Sequence, residues 1–192
     1  PNSSVGFIID DIDFSGLGGI ATTFDLEQVE VHRGPQGLRM GANALAGLIY
    51  MQSKNPTDAF EGIAELVYGS DDIKSLGIAM GGPIDEEEKL KYRVVFRQDE
   101  VNGFRNNSWL AKDNTSGKKE FTGRIKLNWQ PNSASTIDFL LMNVDLENGY
   151  DAWTMDNSLS TLSDKPGRDS QDTNAMVLKM RFRLHDKFEL QS

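Results

Sequence analysis

Apolar and polar residues alternate with a period of two over most of this chain, which is the pattern of β-strands with one apolar face and one polar face. Alternation is clearest over residues 90–97, 121–130 and 176–184, and shorter runs cover 60–68 and 75–80. The chain from residue 57 onward therefore predicts a series of antiparallel hairpins.

Residues 135–146 depart from strict alternation, because apolar side chains occupy both parities of the run. This pattern indicates either a strand with a β-bulge or a strand that is covered on both faces.

The connections between the predicted strands fall into two length classes. Those near residues 83–88, 130–134 and 185–187 are short, whereas those near 102–119 and 148–170 are long and polar. Alternation alone fits a soluble sandwich or a membrane barrel, since both have one apolar and one polar face. Short turns at one end and long loops at the other favour the barrel.

Aromatic residues support the same interpretation. Trp129 ends a strand just before a short turn, and Tyr68 and Phe121 lie toward the long-loop end. Membrane barrels carry aromatic residues at both interfaces. The sequence therefore predicts an antiparallel, partial membrane β-barrel over residues 57–192.

The polar face of the predicted barrel strands is rich in cations. They are Lys91, Arg93, Arg97, Arg124, Lys126, Lys179, Arg181 and Arg183. If this face lines the lumen, it can meet the acidic first quarter of the chain or favour an anionic cargo. Such cations are also routine on the solvated face of a soluble sheet.

Residues 1–56 follow a different pattern. Strands are predicted around residues 29–32 and 48–53, and the glycine-rich segment between them predicts a shaped loop. Asp25 is placed to cap a single helical turn before the first of these strands.

Residues 5–12 form a short apolar run that ends in the paired carboxylates Asp10 and Asp11. Paired carboxylates occur in metal sites and in acid–base catalysis. Neighbours on a strand point to opposite faces, however, and do not easily share a ligand. We interpret the pair as polarity at a strand end.

The segment 25–56 resembles the end of the plug domain of the TonB-dependent outer-membrane receptors. The likeness rests on an Arg-Gly-Pro core, downstream Gly-x-x-Ala and Gly-x-Ile elements, and a final Lys-Asn-Pro. The motif residues are Glu30, Arg33, Gly34, Pro35, Gly41 and Gly47. Residues 5–12 are similar to an earlier strand of the same plug. The chain departs from the family pattern at Arg39-Met40 and at Ala46.

The resemblance implies a membrane β-barrel with a small α+β plug domain. Residues 1–56 would be the C-terminal part of the plug, and residues 57–192 the N-terminal strands of a barrel of about 22 strands. We therefore expect an internal fragment of a protein of the Gram-negative outer membrane.

The function that the resemblance implies is uptake of a bulky, scarce nutrient. A ferric siderophore is the first expectation, with cobalamin or a glycan as alternatives. The expected partners are outer-membrane lipid, the nutrient, and a periplasmic TonB-type energy-transducing protein that would bind a segment outside this chain.

Arg33 is the residue to which the resemblance gives a mechanical role, that of joining plug and barrel wall. An arginine can form a bidentate pair with a carboxylate, and by charge Glu61 and Glu65 are candidate partners. Candidate ligand contacts in the long loops are Trp109, Tyr150 and Trp153.

Composition narrows the other function classes. A net charge of −9 argues against nonspecific nucleic-acid binding. The absence of cysteine and the presence of only two histidines argue against a zinc site, and no cofactor is expected. No nucleophile–base pair indicates an enzyme. The alternative to a receptor is a soluble antiparallel β-sheet domain that binds a protein or a carbohydrate.

Overall fold

The computed structural model describes residues 4–17, 22–35, 44–150, 154, 156–185 and 188–192. Every element in these ranges is a β-strand. In chain order the strands are β1 Val5–Ile9, β2 Ile12–Asp13, β3 Leu26–Arg33, β4 Gly47–Ser53, β5 Glu61–Tyr68, β6 Lys74–Pro83, β7 Leu90–Val101, β8 Arg105–Asn107, β9 Lys112–Thr115, β10 Lys118–Asn132, β11 Ser135–Tyr150, β12 Ser160–Thr161, β13 Gly167–His185 and β14 Phe188–Gln191. Within the described ranges, no helix has the length and apolar character needed to cross a membrane.

The strands form three sheets. The small sheet has the order β2-β1-β4-β3, the large sheet has the order β14-β13-β11-β10-β7-β6-β5, and the loop sheet has the order β12-β8-β9. All neighbours in the large sheet are antiparallel. The predicted hairpins are therefore confirmed, whereas the short strands of the loop sheet lie in connections that the sequence predicted to be irregular.

In the small sheet, β1 pairs with β4 in parallel and β3 pairs with β4 in antiparallel orientation. The predicted strands on either side of the glycine-rich segment are thus β3 and β4. The predicted helical turn after Asp25 is wrong, because Asp25 has a φ of 59° and β3 begins at the next residue. A left-handed residue at that point cannot start a right-handed helical turn.

Asp10 and Asp11 lie in the tight turn between β1 and β2, with φ values of 49° and 70°. Two consecutive residues with positive φ are typical of a two-residue hairpin turn, and aspartate tolerates this conformation. The two carboxylates are therefore turn residues at the end of β1 and not neighbours on a strand. Each contacts a different cation of the large sheet, Lys126 for Asp10 and Lys179 for Asp11, so they do not share a partner.

Across β7 and β10, the large sheet is mainly polar on its inner face and apolar on its outer face. Arg93 and Arg124, on the inner face, are each 3% exposed, whereas Phe96 and Ile125, on the outer face, are each 38% exposed. A water-soluble sheet has the opposite distribution, with apolar side chains inside and cations in solvent. This is the reverse of what the soluble-domain alternative predicts.

The inner face of β11 explains the mixed pattern of residues 135–146. Its side chains Met142, Val144 and Leu146 are buried against Ile9 and Met51 of the small sheet. The outer face of the same strand carries apolar residues that follow the rest of the outer surface. The register of β10 and β11 shifts only near their shared turn, so a bulge within the run is not the cause.

We expect Val144→Ala to weaken the packing of the small sheet on β11. Val144 is fully buried, and removal of its two methyl groups leaves a cavity worth about 1–3 kcal/mol. Hydrogen exchange of the β4 amides in the purified protein measures this loss as faster exchange. Leu141→Ala, on the outer face of the same strand, is the control. Equal acceleration by both variants would show that the inner contact is not what protects β4.

Candidate functional site

A buried ionic cluster joins the small sheet to the large sheet at Asp25. Arg93 donates from Nε to Asp25 Oδ2 at 2.8 Å and from Nη2 to the other carboxylate oxygen, which makes the pair bidentate. Arg124 Nη2 donates to the Asp25 carbonyl oxygen at 3.0 Å and approaches Oδ2 at 3.4 Å. The three side chains are at most 3% exposed. Charges this deeply buried are tolerated only when they are paired.

The register of the large sheet brings the two arginines to the same place. Strands β7 and β10 pair so that Arg93 lies opposite Lys126 and Val95 opposite Arg124, with all four side chains on the inner face. Asp25 lies in the turn immediately before β3, and its backbone takes the left-handed conformation there. That conformation presents both the carbonyl oxygen and the carboxylate to Arg124.

Glu61 and Glu65, the candidate partners of Arg33, contact arginines of the large sheet. Glu61 pairs with Arg93 at 2.6 Å, and Glu65 pairs with Arg97. Both glutamates lie on the inner face of β5, two strands away from these arginines, so the partners belong to the same wall. Arg33 is exposed at the end of β3, and within the described ranges no ion pair joins it to either glutamate.

Two glycines of β6 let the arginines of β7 reach the glutamates of β5. Gly81 lies between Glu61 and Arg93 in the strand register, and Gly77 lies between Glu65 and Arg97. A Cβ at Gly77 would lie 2.9 Å from Nη1 of Arg97. Because glycine has no side chain, these two positions leave space above β6, and the guanidinium groups extend across it.

Phe24 of the chain before β3 fills the remaining space at Gly77. Its ring carbons would lie 2.8 Å from a Cβ at that glycine, and the Arg97 guanidinium carbon lies 5.3 Å from its ring centroid. This distance is within the range of a cation–π interaction. Phe24 and Asp25 thus bind adjacent arginines of the same strand.

A second ionic cluster joins the turn between β1 and β2 to the large sheet. Lys126 Nζ donates to Asp10 Oδ1 at 3.2 Å, to the Ser53 carbonyl oxygen at 2.9 Å and to Asn55 Oδ1 at 3.2 Å. The Asp10 carboxylate also accepts the amide of Ser53 at 2.9 Å and its hydroxyl at 2.5 Å. Lys126 therefore binds both the β1–β2 turn and the segment that follows β4.

Asp11 completes the second cluster by pairing with Lys179 and by accepting a hydrogen bond from Tyr50 Oη at 2.9 Å. Burial raises the pKa of the Asp11 carboxyl, but the hydrogen bonds from Lys179 and Tyr50 outweigh it and leave that pKa below its usual range. Burial and the hydrogen bond to Asp11 raise the pKa of Tyr50 to about 12. Both groups therefore keep their ordinary charge at neutral pH.

A polar cavity of about 490 Å³ lies beside the second cluster, between the small sheet and the inner face of the large sheet. Its wall includes the Asp10–Asp11 turn, Tyr50 and Lys179. The charged groups around it are balanced in sign, with four acids and four bases. They are Asp10, Asp11, Asp58, Asp138, Lys91, Lys126, Lys179 and Arg181.

The plug-motif residues lie where β3 and β4 meet. Gly34 has a φ of 90°, which favours glycine, and its amide donates to the Ala46 carbonyl oxygen at 3.1 Å. A Cβ at Gly47 would lie 2.7 Å from the His32 carbonyl oxygen, so the pairing of β3 with β4 requires glycine there. The other described motif residues are Glu30, which contacts His32, and Pro35, which is exposed. Gly41 lies outside the described residues.

Of the candidate ligand contacts, Trp109 lies in the long connection between β7 and β10, and Tyr150 is the last residue of β11. Trp109 is 66% exposed and Tyr150 is 63% exposed, whereas Trp153 lies outside the described residues. Sequence reasoning identified the two sets of charged residues that form the ionic clusters, namely the cations of one strand face and the acids of the first quarter of the chain. It did not identify which acid pairs with which cation, because the sequence carries no signal for those pairings.

Comparison with known proteins gives a consistent set of relatives, although no family model matches the chain. The chain is 26% identical over 121 residues to the vitamin B12 transporter of Vibrio vulnificus, which covers 63% of this chain and 19% of the relative. It is 30% identical over 111 residues to the ferripyoverdine receptor of Pseudomonas aeruginosa, covering 52% of this chain and 14% of the relative. The chain thus spans less than a fifth of the length of these relatives.

Solved structures show the same fold. The ferric yersiniabactin uptake receptor from Yersinia pestis superimposes with a TM-score of 0.86 at 21% identity, covering 99% of this chain and 31% of the receptor. The ferric-catecholate import receptor from Escherichia coli K12, in its closed form, superimposes with a TM-score of 0.74 at 17% identity, covering 98% of this chain and 28% of that receptor.

We expect Asp25→Asn to loosen the small sheet strongly, because it leaves the buried Arg124 without a negative partner. Removing one member of a buried ion pair typically costs about 3–5 kcal/mol. Urea unfolding of the small sheet in the detergent-solubilised full-length receptor measures the loss. Glu27→Gln changes an exposed carboxylate of β3 and serves as the control. If the two variants unfold at the same urea concentration, the Asp25 cluster does not hold the sheets together.

We expect Gly77→Ala to disturb the contact among Phe24, Arg97 and β6, because the new methyl group overlaps both side chains. Overpacking of this kind costs about 1–3 kcal/mol. The readout is the thermal midpoint of the full-length receptor. Gly62→Ala is the matched control, since its nearest atoms lie at 3.5 and 3.8 Å. A midpoint that falls equally in both variants would contradict the role given to Gly77.

The relatives are receptors and transporters of the Gram-negative outer membrane, not enzymes. Their fold extends over nearly the whole chain, and the Arg-Gly-Pro motif lies at the end of β3 as the resemblance requires. The outer face of the large sheet is apolar, as a lipid-facing surface must be. In sequence and in fold the chain is therefore similar to the TonB-dependent outer-membrane receptors.

Proposed function

We propose that residues 1–56 are the C-terminal part of a plug domain and that residues 57–192 are the N-terminal strands of the barrel around it. The whole receptor would take up a bulky, scarce nutrient, and a ferric siderophore is the cargo that we favour. The observation that carries this proposal is the buried pairing of the small sheet's acids with the inner-face cations of the large sheet.

The ionic pairing explains why such a receptor stays closed. Arg93, Arg124 and Lys126 are buried only while the small sheet covers them, and each is paired with an oxygen of that sheet. Movement of the small sheet breaks these pairs together, and any cation that stays buried without its partner costs about 3–5 kcal/mol. We propose that a periplasmic TonB-type protein supplies the work that releases them.

The same pairing bears on the charge of the cargo. While the small sheet is in place, its carboxylates neutralise the cations of the inner wall. Movement of the small sheet would expose those cations to the lumen, where they attract negatively charged groups. This order of events favours an anionic cargo, and many metal chelates carry negative charge.

The residue-level proposals follow the same arrangement. Arg33 is a proposed contact between plug and barrel, although Glu61 and Glu65 are engaged by other arginines. Trp109, Tyr150 and Trp153 are proposed contacts for the nutrient, because Trp109 and Tyr150 expose flat aromatic surfaces against which its apolar or aromatic groups can pack.

The names of the relatives support a ferric siderophore. Two of the similar proteins are named for a ferric siderophore, the ferripyoverdine receptor and the ferric yersiniabactin uptake receptor. Another relative is named as a vitamin B12 transporter. Cobalamin is therefore the second candidate.

Uptake by the full-length receptor tests the proposal. The receptor is expressed in a Gram-negative host that lacks its own siderophore and cobalamin receptors. The probes are radioactive iron presented as ferric yersiniabactin or ferripyoverdine, and radiolabelled cobalamin. We expect uptake of a ferric siderophore that stops when the host's TonB-type protein is deleted.

Two controls make the uptake experiment decisive. Host cells with an empty vector give the background, and fractionation shows whether the receptor reaches the outer membrane. Uptake of cobalamin alone would replace the siderophore as cargo. Uptake that continues without the TonB-type protein, or recovery of the receptor in the soluble fraction, would contradict the proposed function.

A further inference from the structure

The two long loops are connected to each other by the loop sheet. The first loop, residues 102–117, joins β7 to β10, and the second, residues 151–166, joins β11 to β13. Strand β8 of the first loop pairs in parallel with β12 of the second. The amide of Asn106 donates to the Leu159 carbonyl oxygen at 3.0 Å, and the amide of Ser108 donates to the Thr161 carbonyl oxygen at 2.9 Å.

Asn107 lies at the centre of this connection and is 1% exposed. Its Nδ2 donates to the Ser163 carbonyl oxygen in the second loop at 2.9 Å. Its Oδ1 accepts the amide of Leu110 in its own loop at 3.0 Å. A buried amide whose two ends bind different loops fixes their relative position, because loss of either partner leaves a buried polar group unsatisfied.

The bond from Leu110 to Asn107 also closes the turn that carries Trp109. Asparagine side chains commonly close such turns by accepting a backbone amide from a following residue. Trp109 itself is exposed. The residue that holds the two loops together therefore also fixes the position of the most prominent aromatic side chain of the first loop.

The first loop is also fixed at its base. A Cβ at Gly103 would lie 1.6 Å from the Thr115 carbonyl oxygen, which shows how closely the loop folds back on itself. The amide of Gly149, at the end of β11, donates to the Gly117 carbonyl oxygen at 2.8 Å. Neither loop is therefore a free segment above the large sheet.

We propose that the first loop and residues 156–166 of the second loop move as one rigid lobe and that Asn107 is the positioning residue that couples them. A partner that contacts Trp109 then acts on both loops at once. The coupling itself follows from the contacts given above. Only the side of the membrane on which the lobe lies rests on the proposed function.

A reporter cysteine in the second loop tests this coupling. Thr161 is 2% exposed, and the sequence contains no cysteine, so Thr161→Cys introduces a thiol that is protected while the lobe is closed. The full-length receptor carrying this change is displayed on whole cells and treated with a membrane-impermeant maleimide. The receptor without the reporter gives the background, and denatured receptor gives complete labelling.

The perturbation is placed in the first loop, at the residue that lies opposite the reporter in the β8–β12 register. With Asn107→Ala, we expect the labelling rate of the cysteine to rise roughly tenfold or more, because local opening follows the loss of buried hydrogen bonds. Asn106→Ala is the matched control, since Asn106 is the adjacent residue of the same strand with an exposed side chain. It is expected to leave the rate unchanged.

Asn107→Asp separates the two hydrogen bonds. Aspartate keeps an oxygen toward the Leu110 amide but replaces the donor to the Ser163 carbonyl oxygen with a second oxygen. We expect it to label like Asn107→Ala. The yield of receptor in the outer membrane and its thermal midpoint should stay unchanged in all variants, which distinguishes opening of the lobe from global unfolding.

The outcomes discriminate clearly. A cysteine that stays protected in Asn107→Ala, or that labels equally fast with Asn107 intact, overturns the coupled lobe. Accelerated labelling on whole cells supports it. Acceleration that appears only after the outer membrane is permeabilised supports the coupling, but shows that the lobe does not face the exterior, and this result counts against the proposed function alone.

Discussion

Charge that leaves water needs a partner, and this constraint governs how the small sheet sits on the large sheet. Arg93, Arg124 and Lys126 are buried on the inner face, where an isolated charge would cost several kcal/mol. The small sheet supplies the oxygens that they bind, from Asp25, Asp10 and the chain after β4. Each sheet therefore depends on the other to bury its charged groups.

The same requirement accounts for the two kinds of apolar surface on the large sheet. The outer face of β7 and β10 is apolar and exposed, as expected of a surface that contacts lipid. The inner face changes along the sheet from the cationic β7 and β10 to the apolar β11. The small sheet matches this change, because its acidic positions meet the cations and its apolar strands meet Met142 and Val144.

Glycine decides where the long cationic side chains can extend. Gly77 and Gly81 of β6 leave an open path across the strand, and Arg97 and Arg93 use it to reach glutamates on β5. Arg93 then binds Glu61 of its own wall and Asp25, whereas Arg97 binds Glu65 and Asp99 of its own wall and lies over the ring of Phe24. The wall thus supplies part of the pairing of each arginine, and Phe24 and Asp25 supply the rest.

The sequence by itself determined the strands and the faces of the large sheet. Alternation of period two depends only on local backbone geometry, so the hairpins from β5 to β13 and the cationic inner row could be predicted from residue order. The Arg-Gly-Pro segment likewise indicated the family, because φ of 90° at Gly34 and the close approach at Gly47 are local requirements.

Only the tertiary structure decided which charges pair, because pairing depends on registers and on residues far apart in sequence. Asp25 and Arg124 are separated by 99 positions, and neither β-pattern nor charge count selects one acid for one arginine. Charge alone therefore offered Glu61 and Glu65 as candidate partners of Arg33, and sequence position alone predicted a helical turn after Asp25. The buried arginines that Asp25 binds lie on the other sheet, and Asp25 meets them with its backbone in the left-handed conformation.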